Sequence, residues 1–181
     1  YFHDSISGLT AIGLFYDRVL SNSSWLWSTE LNSGHPLWML IESAAFFDPV
    51  AMPVYLICGA LETNWFLPYQ VTSFIWLFVF SLGGAMCARH LLGDPWSAVL
   101  TFLLLLSGPL AIMSPAQSWG FLMPFRYFSW LVWAYLRLRN KVDTPNVLTV
   151  SSILAISLAG YQSVYPFVSM MFLVFVDALS Q

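Results

Sequence analysis

The sequence predicts an all-α, polytopic membrane protein, with about five transmembrane helices following an exoplasmic segment that carries short interfacial helices. Three observations predict it. Hydrophobic residues make up 59% of the 181 positions and charged residues 8%, against about 25% charged in ordinary soluble domains. Nine acids and six bases cannot cover the surface of a soluble protein this size, so lipid must do much of the covering. The apolar residues are also unevenly placed. They crowd into 69–181 in runs long enough to lie in a bilayer, whereas 1–68 is aromatic and acid-bearing with no comparable run. Nine Trp and eight Tyr suit wide interfacial belts, where a ring with one polar edge is stable.

In the front segment, residues 1–20 read as a short helix with Ile6, Leu9, Ile12, Phe15 and Val19 near one face, ended by Ser21-Asn22-Ser23-Ser24. Trp25-Leu26-Trp27-Ser28 reads as a surface-anchoring bump, and Gly34 and Pro36 demand a tight turn. Asp48-Pro49 and Pro53 interrupt the next apolar run, which ends at Leu61 and suits an interfacial or re-entrant helix better than a crossing. The predicted spans are 69–88, 96–113, 119–136, 147–162 and 164–179. Arg89 and His90 close the first, Pro95 opens the second, and Gly108-Pro109 kinks it. The third ends in Arg137, Arg139 and Lys141. The apolar run from Val147 to Leu179 holds 33 residues. As one helix it would reach about 50 Å, too long for a hydrocarbon core of about 30 Å, so Gly160-Tyr161-Gln162-Ser163 is read as a hairpin turn.

Arg and Lys in short loops set orientation. The loops at 89–95 and 137–146 carry the bases and fall on one side of the alternating topology; the connection at 114–118 carries none. These positive loops are expected to be cytoplasmic, leaving residues 1–68 exoplasmic in a bacterial inner (plasma) membrane. The net charge of −3 gives no reason to expect a nucleic-acid partner. Cys58 and Cys87 do not make a disulfide framework. The chain opens at Tyr1 without an initiator Met or a signal-peptide pattern and reads as an excerpt of a longer protein.

Four residues stand out chemically. Asp4 follows His3 and precedes Ile6, so it serves either as a helix N-cap or as a general base in a partly dry site at the exit of a preceding span. His35, in a Gly-His-Pro loop near Glu42, is either a solvent-facing loop residue or a substrate-binding one. Asp4, His35 and Glu42 together would suit a divalent cation, although no spacing demands it. Arg126 falls a third of the way into the third span, where a charge costs roughly 2.5–3.5 kcal/mol on insertion scales. It either snorkels to the outer surface or binds an anionic head group such as a lipid-linked phosphate. No Asp, Glu or Lys lies near the middle of a span, which argues against an ion pump, and no nucleotide-binding, zinc-protease or redox motif occurs.

The order of Asp4, then Leu31-Asn32-Ser33-Gly34-His35-Pro36-Leu37-Trp38, then Phe47-Asp48-Pro49 resembles the first exoplasmic loop of YfhO-like bacterial membrane proteins. Leu82-Gly83-Gly84-Ala85-Met86, Leu91-Leu92-Gly93, Ser107-Gly108 and Ala159-Gly160-Tyr161-Gln162-Ser163-Val164-Tyr165 are similar to later steps of that family. The resemblance implies a GT-C glycosyltransferase that moves a sugar from a polyprenyl-phosphate donor to an exoplasmic acceptor. It places the catalytic base at Asp4. His35, Glu42 and Arg126 are the candidate substrate contacts, no organic cofactor is required, and a divalent cation is allowed. A span before the Asp, further spans after the last one and a second acid beside Asp4 are absent from the pattern here. The rival expectation is a non-catalytic integral-membrane subunit packing against other chains; small residues such as Gly83, Gly84 and Ala85 serve both. A transporter would need polar residues converging at the bilayer midplane, and the sequence supplies none.

Overall fold

The computed structural model describes residues 13–21, 27–28, 35–36, 48–108, 125–158 and 164–179. Their regular elements are helices and one two-residue antiparallel pairing, β1 (Trp27–Ser28) with β2 (His35–Pro36), in which Trp27 faces Pro36 and Ser28 faces His35. In chain order the helices are α1 (13–20), α2 (Ala51–Ala60), α3 (Phe66–Leu92), α4 (Pro95–Ser107), α5 (Phe128–Asn140), α6 (Thr144–Leu158) and α7 (Val164–Leu179). Among the described residues, one helix, α3, is long and apolar enough to cross a membrane. Its 27 residues reach about 40 Å.

Local chemistry explains most helix ends. Three helices start at an aspartate followed within two residues by proline, which presets φ for the first turn and lacks the N–H that the cap would have to satisfy. Asp94 accepts from Ser97 N at 2.9 Å to open α4, and Asp143 accepts from Asn146 N at 3.0 Å to open α6. The third is Asp48 ahead of α2. At the far end of α3, Gly93 adopts φ 69° and returns its N–H to Arg89 O at 3.0 Å; that left-handed position suits a residue without a Cβ. Arg89 and His90 in the last turn of α3, and Arg137 and Arg139 in that of α5, put positive charge where the helix dipole favours it.

Several expected boundaries shift. The first span extends beyond 69–88, because Pro68 is tolerated in a first turn. α4 ends at Ser107, where Gly108 is extended, the conformation favoured before a proline; positions 109–113 of the expected second span lie outside the described residues. α5 begins at Phe128, after a turn at Arg126 and Tyr127, and runs four residues past 136; positions 119–124 of the expected third span lie outside the described residues. The final apolar run carries two helices, Thr144–Leu158 and Val164–Leu179. Both cysteines are free.

α3 is the spine, with α2, α4 and α5 packed along it, α6 on α5, and α7 touching α5. α3 and α5 meet through polar groups. Ser129 Oγ donates to Phe80 O at 2.7 Å, Trp130 Nε1 to Val79 O at 2.7 Å, and Cys87 Sγ to Ser129 O at 3.2 Å. The two α3 carbonyls lie one turn before Gly83 and Gly84, where no side chain covers them. Alongside its aromatic core the bundle buries polar groups and exposes many large apolar ones. Thr72, Ser73, Ser81, Ser129 and Arg126 are buried, while Phe74, Leu103, Leu104, Phe172 and Phe175 face outward.

A Cβ on Gly83 would overlap Ser129 Oγ and lie 2.9 Å from the Trp130 backbone nitrogen, whereas one on Gly84 meets only the tip of Leu105. Gly83→Ala is therefore expected to lower unfolding stability in detergent by about 1–3 kcal/mol, and Gly84→Ala by clearly less. Equal effects of the two substitutions would mean that α3 and α5 do not approach this closely.

Candidate functional site

The Phe47-Asp48-Pro49 step carries the most heavily bonded side chain described. Because Pro49 has no N–H, the first free donors of the α2 turn are Val50 N and Ala51 N, and both reach Asp48 Oδ1 at 2.9 Å. Trp76 Nε1, on α3, donates to the same oxygen at 3.1 Å. Arg126 Nε donates to Oδ2 at 2.5 Å, and Tyr127 OH donates to Oδ2 at 3.0 Å. Five donors from three segments thus occupy one carboxylate, which presents about four lone-pair sites.

Burial makes this arrangement consequential. The Asp48 and Arg126 side chains are 0% and 2% exposed. The Arg126 guanidinium carbon lies 5.3 Å from the Trp76 ring centre and 5.2 Å from that of Tyr127, so its faces meet π-clouds rather than water. Arg126 leaves helical geometry in the turn before α5, and this gives the guanidinium its route to Asp48. Trp76 is ten residues into α3, about 15 Å from its start. The pair therefore sits well inside the bundle, not at its rim.

On one side of the pair lies a cluster of Phe15, Tyr16, Tyr55, Tyr69, Trp76 and Leu77. Tyr16 stacks on Tyr55 with ring centres 4.9 Å apart, and Trp65 Nε1 donates to Asp17 Oδ2 at 3.0 Å, tying α1 to the start of α3. Burial pushes the Tyr16 and Tyr55 phenols above the ordinary tyrosine value, with the Asp48 charge adding to the effect at Tyr16. A phenol that stays neutral when folded but ionises when unfolded supports the fold below about pH 10 and loses that contribution as the pH rises further.

Of the residues singled out from the sequence, Asp4 and Glu42 lie outside the described residues. His35 is placed by its backbone in β2. Arg126 does not snorkel outward; it is buried and matched by Asp48, which the sequence reading took as an interruption of an apolar run and a step of the resemblance, with no ionic partner. The available signal was a lone acid and a lone base, each embedded in apolar surroundings, which the cost of unpaired burial obliges to meet. Asp48 lies in no predicted span, yet the turn before α2 brings it to the flank of α3. No group of three His, Cys, Asp or Glu side chains converges among the described residues. Chemically the site is a fastener: its carboxylate is saturated by donors and its cation is matched. Comparison with protein-family models, with curated proteins and with solved structures finds no match.

Removing one partner strands the other. Arg126→Met is expected to cost about 3–5 kcal/mol of stability. Asp48→Asn, which keeps an oxygen for the cap, combined with Arg126→Met should cost less than the sum of the two single changes. Strictly additive losses in denaturant unfolding would show that the pair is not coupled.

Proposed function

We propose that the chain is the membrane-embedded part of a polytopic GT-C-type glycosyltransferase of the bacterial inner membrane, with residues 1–68 exoplasmic. It would move a sugar from a polyprenyl-phosphate donor to an exoplasmic acceptor. The observation that carries this reading is the bonding of Asp48, from the front segment, to Trp76, Arg126 and Tyr127 of the helical part. An acid on a loop acts on a lipid-borne donor only if the loop is held against the helices, and this pair does such holding at position 48. The many Phe, Leu and Val side chains that face outward, with several hydroxyls buried, support lipid as the surrounding solvent.

In the proposed reaction Asp4 accepts the proton of the acceptor hydroxyl as its oxygen bonds to the anomeric carbon. The bond from that carbon to the phosphate oxygen breaks, and polyprenyl phosphate departs. His35 and Glu42, on the same front segment, are the candidate substrate contacts, and with Asp4 they form a donor set of the kind a divalent cation takes. Arg126 contributes by anchoring Asp48. A second reading, a non-catalytic subunit within a larger membrane complex, draws on one observation: α7 turns Phe167, Val168, Met171, Phe172, Phe175 and Val176 outward, a face that other helices could cover as well as lipid.

Two outcomes are expected. Asp4→Asn should abolish sugar transfer in membranes carrying the full protein, with the unfolding midpoint unchanged; normal turnover in that variant removes the catalytic assignment. A thiol introduced at Ser21 should react with an impermeant reagent from outside intact cells, and one at Lys141 only after the membrane is opened. The reverse pattern would leave the enzyme without workable geometry.

A further inference from the structure

All six Lys and Arg side chains fall within the described residues, and their partners separate them into two groups. Arg126 pairs with Asp48, Arg139 with Asp177 at 3.0 Å and Lys141 with Asp143 at 3.1 Å. Arg18, on α1, lies at the other end of the fold from the α3 and α5 C-termini and is tied in locally through its carbonyl, which accepts from Ser21 Oγ. Arg89 and Arg137 form no ion pair among the described residues, and they line the same pocket.

That pocket, about 360 Å³, opens between the C-terminal turns of α3 and α5 and is lined by Met86, Arg89, His90, Trp133 and Arg137. It is organised rather than a loose patch. The Arg137 guanidinium carbon stacks 4.9 Å from the Trp133 ring centre, which fixes its plane at the wall. Asn140 Nδ2 and His90 Nε2 are 2.9 Å apart, holding the imidazole between the two helices. The acids at this end are engaged elsewhere: Asp94 caps α4, Asp143 caps α6 and meets Lys141, and Asp177 takes Arg139 together with the Tyr135 hydroxyl at 2.8 Å. Asp143 is close enough to feel Arg137, but its carboxylate is already committed.

We infer that this pocket binds a phosphate anion, held by Arg89 and Arg137 from two helices against a wall made by Trp133 and Met86. Two guanidinium groups offer the forked donors that match phosphate oxygens. The apolar wall, and Leu91, Leu92 and Trp96 exposed just beyond it, suit a phosphate that carries hydrocarbon, as a phospholipid headgroup does. A soluble phosphate ester would satisfy the same donors. The inference is independent of the transferase reading, since it uses neither Asp4 nor the Asp48 pair.

The test uses the full chain in neutral detergent with two probes: phosphatidylglycerol, scored against phosphatidylcholine by native mass spectrometry, and inorganic phosphate, scored by calorimetry. Phosphatidylglycerol is expected to bind in preference to phosphatidylcholine. Arg89→Gln and Arg137→Gln should each weaken binding about tenfold, the loss of one charge-assisted contact. Lys141→Gln, which removes the same charge at the same end, should leave it within about twofold. Arg89 is exposed, so its variant does not depend on surviving a buried substitution. Binding of lipid alone identifies a headgroup site, and binding of inorganic phosphate as well identifies a site for phosphate from either source. Absence of binding by both probes, or an equal loss in Lys141→Gln, overturns the inference.

Discussion

The Asp48–Arg126 pair is the constraint around which the other contacts arrange themselves. Taking two charges out of water costs several kcal/mol per ion even after relaxation, so such a pair persists only when its geometry and remaining hydrogen bonds repay the penalty. Here the carboxylate draws donors from the α2 turn, the flank of α3 and the turn before α5, and aromatic faces enclose the cation. Three segments are thereby fixed at one point. The tyrosine-rich cluster then builds on the α2 side, and the α3–α5 seam continues from the other.

That seam shows how a second, weaker set of interactions extends the first. Ser129 and Trp130 lie within one helical turn of Arg126 and Tyr127, so once the turn is pinned to Asp48 their side chains come to lie against α3 at Phe80 and Val79. Side-chain hydrogen bonds between helices are individually modest, about 0.6–2 kcal/mol where they have been measured in membranes. They form because Gly83 lets the two backbones approach, with Trp130 N close to where a Cβ would stand. A strong buried pair fixes position; several modest bonds and a missing side chain then fix the distance between the helices.

What could be read from the residues alone follows from how local each signal is. Asp-Pro helix starts, the glycine after Leu92 and the basic last turns act within one helical turn, and they mark real helix ends. The run from 119 to 136 looks continuous in hydropathy, yet the backbone turns at Arg126, whose side chain bonds a residue 78 positions away. No window of sequence contains both partners. Asp48 was legible as a break in an apolar run and not as an ion-pair partner for the same reason. Asp4 and Glu42, which carry the chemistry proposed for the front segment, lie outside the described residues, so the resemblance and the anchoring at Asp48 remain what recommends them.

The placement of charge also separates the two ends of the bundle by what each can do. Near Trp76 the charges cancel: one acid meets one base, and the carboxylate is saturated by donors. At the C-terminal turns of α3 and α5 they do not cancel, because the local acids are taken up by two helix caps and by Arg139 and Lys141. A cancelled pair in a dry interior holds structure and offers little to a ligand. Two uncancelled guanidinium groups at a pocket mouth, one braced on Trp133, attract whatever anion reaches them. The positive end of the bundle is thus the end with binding capacity to spare, and in the membrane reading it is also the end held at the cytoplasmic surface, where anionic headgroups concentrate.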